Sequence, residues 1–479
     1  MKGMSLGRLR TFILLAAFLA ILACRRVEAY SLLTHEQLID LTWHASIVPL
    51  LLSRYPNLTP EELEQARAYA YGGCVIQDIG YYPFGDLFYS DLTHYVRSGD
   101  FVVNLFRDAQ NADELAFAVG ALSHYIGDSN GHPLATNVAV PVEFPDLEAK
   151  YGKEVNFAEG KHQHVQTEFA FDINEIAHHR MAPVHYVRHI GLKVPVRLLT
   201  VAFYQTYGIS EDFSMKRRRR FNVGAYRFAV HRFIPRIAYA ITLLKRRHEP
   251  ADPDTPEAIA LRQEVATLAA EEHWDEYRRK AGIGTWTLAG LLFILPKVGP
   301  LSLVAVKGPT EETENEYVHS VTASVNLLRQ TLARFTPPAP HSASGGAPAD
   351  EPSKTPVLHS LPADRTAGPA EQHRARDPRH PLPNRDLDTG YVIKPGGYSL
   401  TDSTYAQLLH RLTHQNQPIP PGIQEDIEAY YANPEAPIST KKDPAKWAEV
   451  QKDLETLKTM PLSPEPPLFP TYGDDESAQ

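Results

Sequence analysis

The sequence predicts an all-α chain, folded as a multi-helix bundle. Apolar residues recur at three- and four-residue steps through most of residues 30–335, as in LTHEQLIDLTWHASIVPLLL and DELAFAVGALSHYIGD. Thr59-Pro60-Glu61-Glu62 reads as a helix start, with a capping threonine, proline in the first turn and early acids. No stretch sustains the alternation of apolar and polar residues that marks a half-buried strand.

Taken in order, the first 29 residues read as an export signal. Lys2, Arg8 and Arg10 precede the apolar run FILLAAFLAILA, and Val27-Glu28-Ala29 offers a cleavage site that would leave Tyr30 as the new N-terminus. The expected location is therefore outside the cytoplasm, periplasmic or secreted. A second reading takes ILAC, ending at Cys24, as a lipoprotein box. Cleavage after Ala29 leaves Cys74 as the lone cysteine, so no internal disulfide can form and a metal is one alternative staple.

Helical patterning continues to about Arg334 and defines a domain over residues 30–335. Residues 336–392 are rich in Pro, Ala, Ser and charge and read as a linker. A small helical segment is expected over 393–479, with YAQLLHRLTHQ and DPAKWAEVQKDLETL as its helices. The apolar stretch 285–306, broken by Pro296, Gly299 and Pro300, reads first as a buried helical hairpin. Contact with a membrane surface is the second reading and a span the third.

A net charge of −9 argues against a general nucleic-acid binder. It leaves room for an enzyme whose metal ions supply positive charge locally. No G-x-S-x-G elbow occurs, so a nucleophilic serine of that type has no sequence support.

Chemistry concentrates in LSHYIGDSNGHP. His124 and Asp128 stand one helical turn apart and share a face, and His132 would sit just beyond a helix end at Gly131. His164 and Glu168 repeat the i, i+4 pairing in HQHVQTEF. Imidazole and carboxylate so placed suit zinc; either pair alone is more often a surface ion pair. His35 lies in YSLLTH, and GGCVIQDIGYYPFGD and YSDLTHYV add Asp78 and His94. Gly72-Gly73 and Pro83 place Asp78 in a loop or at a helix end, presented rather than packed. KRRRR at 216–220, HHR at 178–180 and His185 read as solvated polar residues.

The order Tyr30, His35, Asp78, His94, His124, Asp128, His132, His164, Glu168 resembles the zinc-dependent phospholipase C family, to which the fungal single-strand-specific nucleases are related. The resemblance covers roughly residues 30–335. It implies three zinc ions: one on Asp78, His94 and His124, one on His132, His164 and Glu168, and one on Tyr30 and His35 with Asp128 bridging to the first. It implies hydrolysis of a phosphodiester by a metal-activated water, with Asp78 doubling as general base or as an orienter of that water. Tyrosine stands at position 30, where the family usually has tryptophan, and the gap from Asp128 to His132 is shorter than usual. His162 competes with His164 as a ligand. The implied substrate is a phospholipid or another phosphodiester, with transient contact to a membrane surface; nucleic acid belongs to the nuclease reading. A non-catalytic exported binding protein on the same fold is the third reading.

Overall fold

A computed structural model describes residues 32–82, 85–211, 213, 223–245, 251–294, 307–335, 382–415 and 417–464. The signal segment, Tyr30, Pro83, Phe84, the KRRRR run and residues 336–381 lie outside this set. Among the described residues the architecture is all-α. Its β-type pairing is confined to two isolated bridges, Arg385 with Val392 and Ile419 with Leu462.

The first helices are α1 (Leu32–Thr42), α2 (Val48–Arg54), α3 (Pro60–Gly73), α4 (Leu87–Tyr95), α5 (Ser98–Asp108) and α6 (Ala112–Gly131). Next come α7 (Asn137–Glu143), α8 (Pro145–Tyr151), α9 (Phe157–Ala177), α10 (Val184–Ile190) and α11 (Val196–Tyr207). They are followed by α12 (Val223–Phe228), α13 (Ile234–Lys245), α14 (Pro256–Glu271), α15 (Trp274–Tyr277), α16 (Ile283–Ile294) and α17 (Glu311–Phe335). The C-terminal helices are α18 (Ser399–His414), α19 (Pro421–Tyr431) and α20 (Pro444–Leu457). The start foreseen at Thr59 is a complete capping box: the Thr59 side chain accepts from the Glu62 N–H, and Glu62 accepts from the Thr59 N–H.

Helix α6 is the axis of the bundle and is buried along nearly its whole length. Its small residues let α3 lie against it at backbone distance. A Cβ on Gly73 would stand 2.1 Å from the Phe117 carbonyl oxygen, and one on Gly120 would stand 2.2 Å from that of Ala70. Gly120→Ala must therefore push two backbones apart. It should lower stability by about 1–3 kcal/mol, the cost of overpacking, measured as a fall in the urea midpoint.

The C-terminal part departs from expectation. The linker foreseen over 336–392 gives way to packed chain by Leu382, and Leu382 and Leu387 are both buried. Leu408, Leu409, Leu412, Ile423 and Ile427 enter the same core as Leu92, Phe203 and Tyr207. Residues 382–398 carry little apolar periodicity because polar groups anchor them. Ser98 Oγ donates to the Arg385 carbonyl at 2.6 Å, and the Tyr95 and Tyr398 hydroxyls both donate to Asp388 Oδ2, at 2.9 and 2.7 Å. Composition reads such a segment as linker.

Of the apolar stretch 285–306, expected as a buried hairpin, only 285–294 is described, and that part is not buried throughout. Helix α16 buries Ala289 and Leu292 but leaves Ile283, Trp286, Phe293 and Ile294 exposed. Residues 295–306 lie outside the described set. No described helix is long and apolar enough to cross a membrane.

Candidate metal centre

Helix α6 does not stop cleanly at Gly131. A wider π-type turn, His132–Thr136, continues it, so His124, Asp128 and His132 line up at successive turns of one face. All three are buried, at 2% exposure or less. Three neighbouring segments bring the remaining groups to that face.

The first is the short 3-10 turn Gln77–Gly80 with α4 behind it. Ser90 Oγ donates to the Gln77 carbonyl at 2.5 Å, Thr93 Oγ1 donates to the same oxygen at 3.1 Å, and the Gly80 N–H donates to Ser90 Oγ at 2.9 Å. These bonds hold Asp78 opposite His94. Asp78 sits at a helix end as expected, yet it is fully buried rather than presented to solvent. The second segment is α1, which carries His35. The third is α9, kinked at Gly160, which carries His164 and Glu168. His162 is half-exposed and takes no part; His164 is the buried partner.

The distances fall into three overlapping groups. His94 Nε2 lies 3.3 Å from Asp78 Oδ1 and 3.3 Å from Asp128 Oδ2. His124 Nε2 lies 3.1 Å from Asp128 Oδ2, 3.8 Å from Asp78 Oδ1 and 3.4 Å from His94 Nε2. On the other carboxylate oxygen, His35 Nε2 stands 3.2 Å from Asp128 Oδ1, and its ring stacks on His124 with centroids 4.3 Å apart. In the third group Glu168 Oε1 is 3.0 Å from His164 Nε2 and 3.4 Å from His132 Nε2. His132 Nε2 is also 3.9 Å from Asp128 Oδ1, which joins this group to the others.

These residues fit zinc. A tetrahedral ion with bonds of about 2.0–2.1 Å separates its ligand atoms by about 3.3–3.4 Å, close to the spacing within the first group. Both oxygens of Asp78, Asp128 and Glu168 are buried with no hydrogen bond of good geometry, as are both ring nitrogens of His164. Buried carboxylates left so would cost several kcal/mol each without a compensating cation. Acceptor atoms turned toward one another are the signature of a cation between them.

Backbone carbonyls orient the rings. Nδ1 of His94, His124 and His132 faces the carbonyls of Ser90, Cys74 and Leu387 at 2.7, 3.0 and 2.9 Å. Each contact places the proton on Nδ1 and leaves the Nε2 lone pair for the centre. The Cys74 carbonyl reaches His124 because α3 lies so close to α6 at Gly73 and Gly120. The thiol of Cys74 is free and buried, and burial raises its pKa well above the usual range.

The charges couple strongly. Burial pushes Asp78 toward its protonated form against the pull of His124 and His94, and the net direction is up. Burial acts the same way on Asp128, but His124, His132 and His35 outweigh it and hold that carboxyl well below its usual range. Burial lowers His124, whereas for His94 the two aspartates overcome burial and raise it. Asp128 was expected as the bridge, and the geometry gives one of its oxygens to each side.

Several positioning residues escaped the sequence reading. Asp172 accepts the N–H groups of Leu33 and Thr34 at 3.1 and 3.2 Å, which pins the start of α1 and hence His35. Nothing local signals this, because the partners are 139 and 138 residues apart. Gly127 is legible only in three dimensions: an added Cβ would meet Leu38 Cδ1 at 2.9 Å and two His35 ring atoms at 3.2 Å. Gly127→Ala should displace His35 and reduce bound zinc while circular dichroism stays helical; unchanged zinc content would show that His35 has room to move. Arg180, read as an exposed polar residue, is buried. It donates to Glu175 at 2.7 Å and to Glu314 at 2.5 Å.

Residues 382–398 add a strap beside His132. Besides the Leu387 carbonyl, Asp388 Oδ1 stands 3.8 Å from His132 Nδ1, and Asn137 Nδ2 donates to the Asp388 carbonyl at 2.9 Å. Asp388→Ala removes the acceptor for both Tyr95 and Tyr398 and so loosens this support. Loss of such an outer contact typically weakens metal binding about 10–100-fold, which titration against a competing chelator would read.

Comparison with family models matches residues 34–211 to the family described as zinc dependent phospholipase C. The matched segment contains every group of the centre on the described chain, from His35 to Glu168, and ends before α12. Comparison with curated proteins and with solved structures returned no match.

Proposed function

We propose, for a chain whose residues 34–211 match the zinc-dependent phospholipase C family, a zinc phosphodiesterase that hydrolyses a phospholipid. The family is one of hydrolases, and the described residues include three His/Asp/Glu groups at this centre that could hold metal. The observation that carries the reading is Asp128, a fully buried carboxylate whose two oxygens each face a different set of imidazoles.

The residues would divide the work as follows. Asp78, His94 and His124 hold one zinc, and His132, His164 and Glu168 hold a second. His35 would hold a third, with Tyr30, which lies outside the described residues, as the partner the resemblance implies. Asp128, with His35 on one oxygen and His94 and His124 on the other, would serve both the first and the third. Zinc, when bound, supplies a Lewis acid for phosphoryl oxygens and lowers the pKa of a nearby water. Asp78 has an oxygen to spare beyond the one facing His94, and it would orient a water and accept its proton. The buried rings exclude bulk water around the reacting phosphate, so the charges act through a low local dielectric.

Metal analysis of the purified protein, paired with assays on phosphatidylcholine and on single-stranded DNA, tests this. The expected result is close to three zinc per chain and release of diacylglycerol. Cleavage of DNA alone would transfer the centre to the nuclease reading. An absence of bound zinc together with no turnover on either substrate would leave a binding protein on the same fold.

A further inference from the structure

Helix α16 presents an apolar face that the bundle does not cover. Ile283, Trp286, Phe293 and Ile294 are 88%, 53%, 74% and 79% exposed. The opposite face packs through Ala289 and Leu292 on Ala240 and Ile241 of α13 and on Ala170 and Ile173 of α9. Helix α9 also carries His164 and Glu168, so the exposed face lies one helix layer from the centre.

Cations gather beside that face. Arg227, Arg232, Arg236, Arg279 and Lys280 are exposed. The Tyr239 hydroxyl of α13 donates to the Arg279 carbonyl at 3.3 Å, which ties the start of the apolar stretch to the arginine-bearing helix. Arg188 reaches the same place, donating to the carbonyls of His231 and Arg232 at 3.4 and 3.2 Å. The charged neighbours that act on His185, Arg188 and His231 are all arginines, and together with burial they push His231 down to about 4. Guanidinium groups clustered in this way attract an anionic surface. Phe228, 54% exposed, stands among them.

We infer that α16 and the flanking arginines of α10, α12 and α13 form a docking surface for an anionic phospholipid bilayer. An apolar helix face bordered by Arg and Lys seats parallel to a membrane, with its aromatic and aliphatic side chains below the headgroups and its cations on the phosphates. Trp286 has the amphipathic ring favoured at that depth. A second copy of the chain is a poorer occupant, because a two-fold contact here would set the arginine patch against its own image. The inference does not rest on the hydrolytic reading: vesicle binding is measured without turnover.

The test uses a chain from Tyr30 to Gln479, which contains every described residue, and sedimentation with vesicles of phosphatidylcholine with and without phosphatidylglycerol. Binding should be much tighter to the anionic vesicles, should weaken as salt rises, and should shift the Trp286 emission to the blue. F293D with I294D should weaken it at least tenfold. R232E with R236E should remove the preference for anionic lipid. All four positions are solvent-facing or near it, so the variants should melt like the parent, and hydrolysis of a short-chain monomeric substrate should be unchanged. The inference is overturned if the parent ignores anionic vesicles, if F293D/I294D binds them as the parent does, or if light scattering finds a dimer that F293D/I294D dissociates.

Discussion

Asp128→Asn should cost about a thousandfold in hydrolysis, the upper range for loss of one preorganised electrostatic group, and should strip zinc from the centre. Asparagine keeps the shape, loses the charge, and offers one oxygen where the carboxylate offers two. His94 and His124 face Asp128 Oδ2 at 3.3 and 3.1 Å while His35 faces Oδ1 at 3.2 Å, so both sides of the bridge lose their shared anion. Removing one partner from a buried charge cluster typically costs about 3–5 kcal/mol. At roughly 1–2 °C per kcal/mol for a folded unit of more than about 300 residues, the melting temperature should fall by about 3–10 °C. Calorimetry and metal analysis on the same sample check both parts. Full zinc content with normal melting would show that Asp128 bridges nothing.

Chelation of the unaltered protein should be the second large effect. Without cations, Asp78, Asp128 and Glu168 are buried carboxylates that face only imidazoles, with no hydrogen bond of good geometry. A ligand held at a thousand times its Kd adds about 4 kcal/mol to folded stability, and several such ions add more. Prolonged chelation should therefore lower the melting temperature by about 10 °C or more, with loss of near-ultraviolet ellipticity before loss of helix. Restoring zinc, but not magnesium, should reverse it, because the donor set mixes imidazole nitrogen with carboxylate oxygen. Melting that ignores the chelator would mean that the centre folds without metal.

The helical class was legible because the long helices of the bundle bury a stripe, and that stripe writes a period of 3.6 into the sequence. The candidate ligands on α6 and α9 were legible for a related reason: i and i+4 share a face, so His124 with Asp128 and His164 with Glu168 could be paired before any fold was known. Cavities and close approaches leave no such period. Gly127 looks like any helical glycine until His35 is found against it, and Asp172 looks like a surface acid until it caps α1 from 138 residues away.

The C-terminal strap shows the same limit more sharply. Residues 382–398 read as linker because their anchors are a carbonyl on His132, a carboxylate under two tyrosines and an amide from Asn137. Those bonds depend on where distant backbone lies, not on residue type or spacing.

What the amino-acid order determined alone was the helical class and the pairing of candidate ligand residues along individual helices, since local periodicity follows from backbone geometry. What the tertiary structure decided was which oxygen of Asp128 faces which imidazole, which carbonyls turn the rings, that the C-terminal segment belongs to the same core, and that α16 keeps its apolar face outward. Each of these rests on contacts between residues far apart in the chain, whose energies depend on three-dimensional distance and carry no local signature.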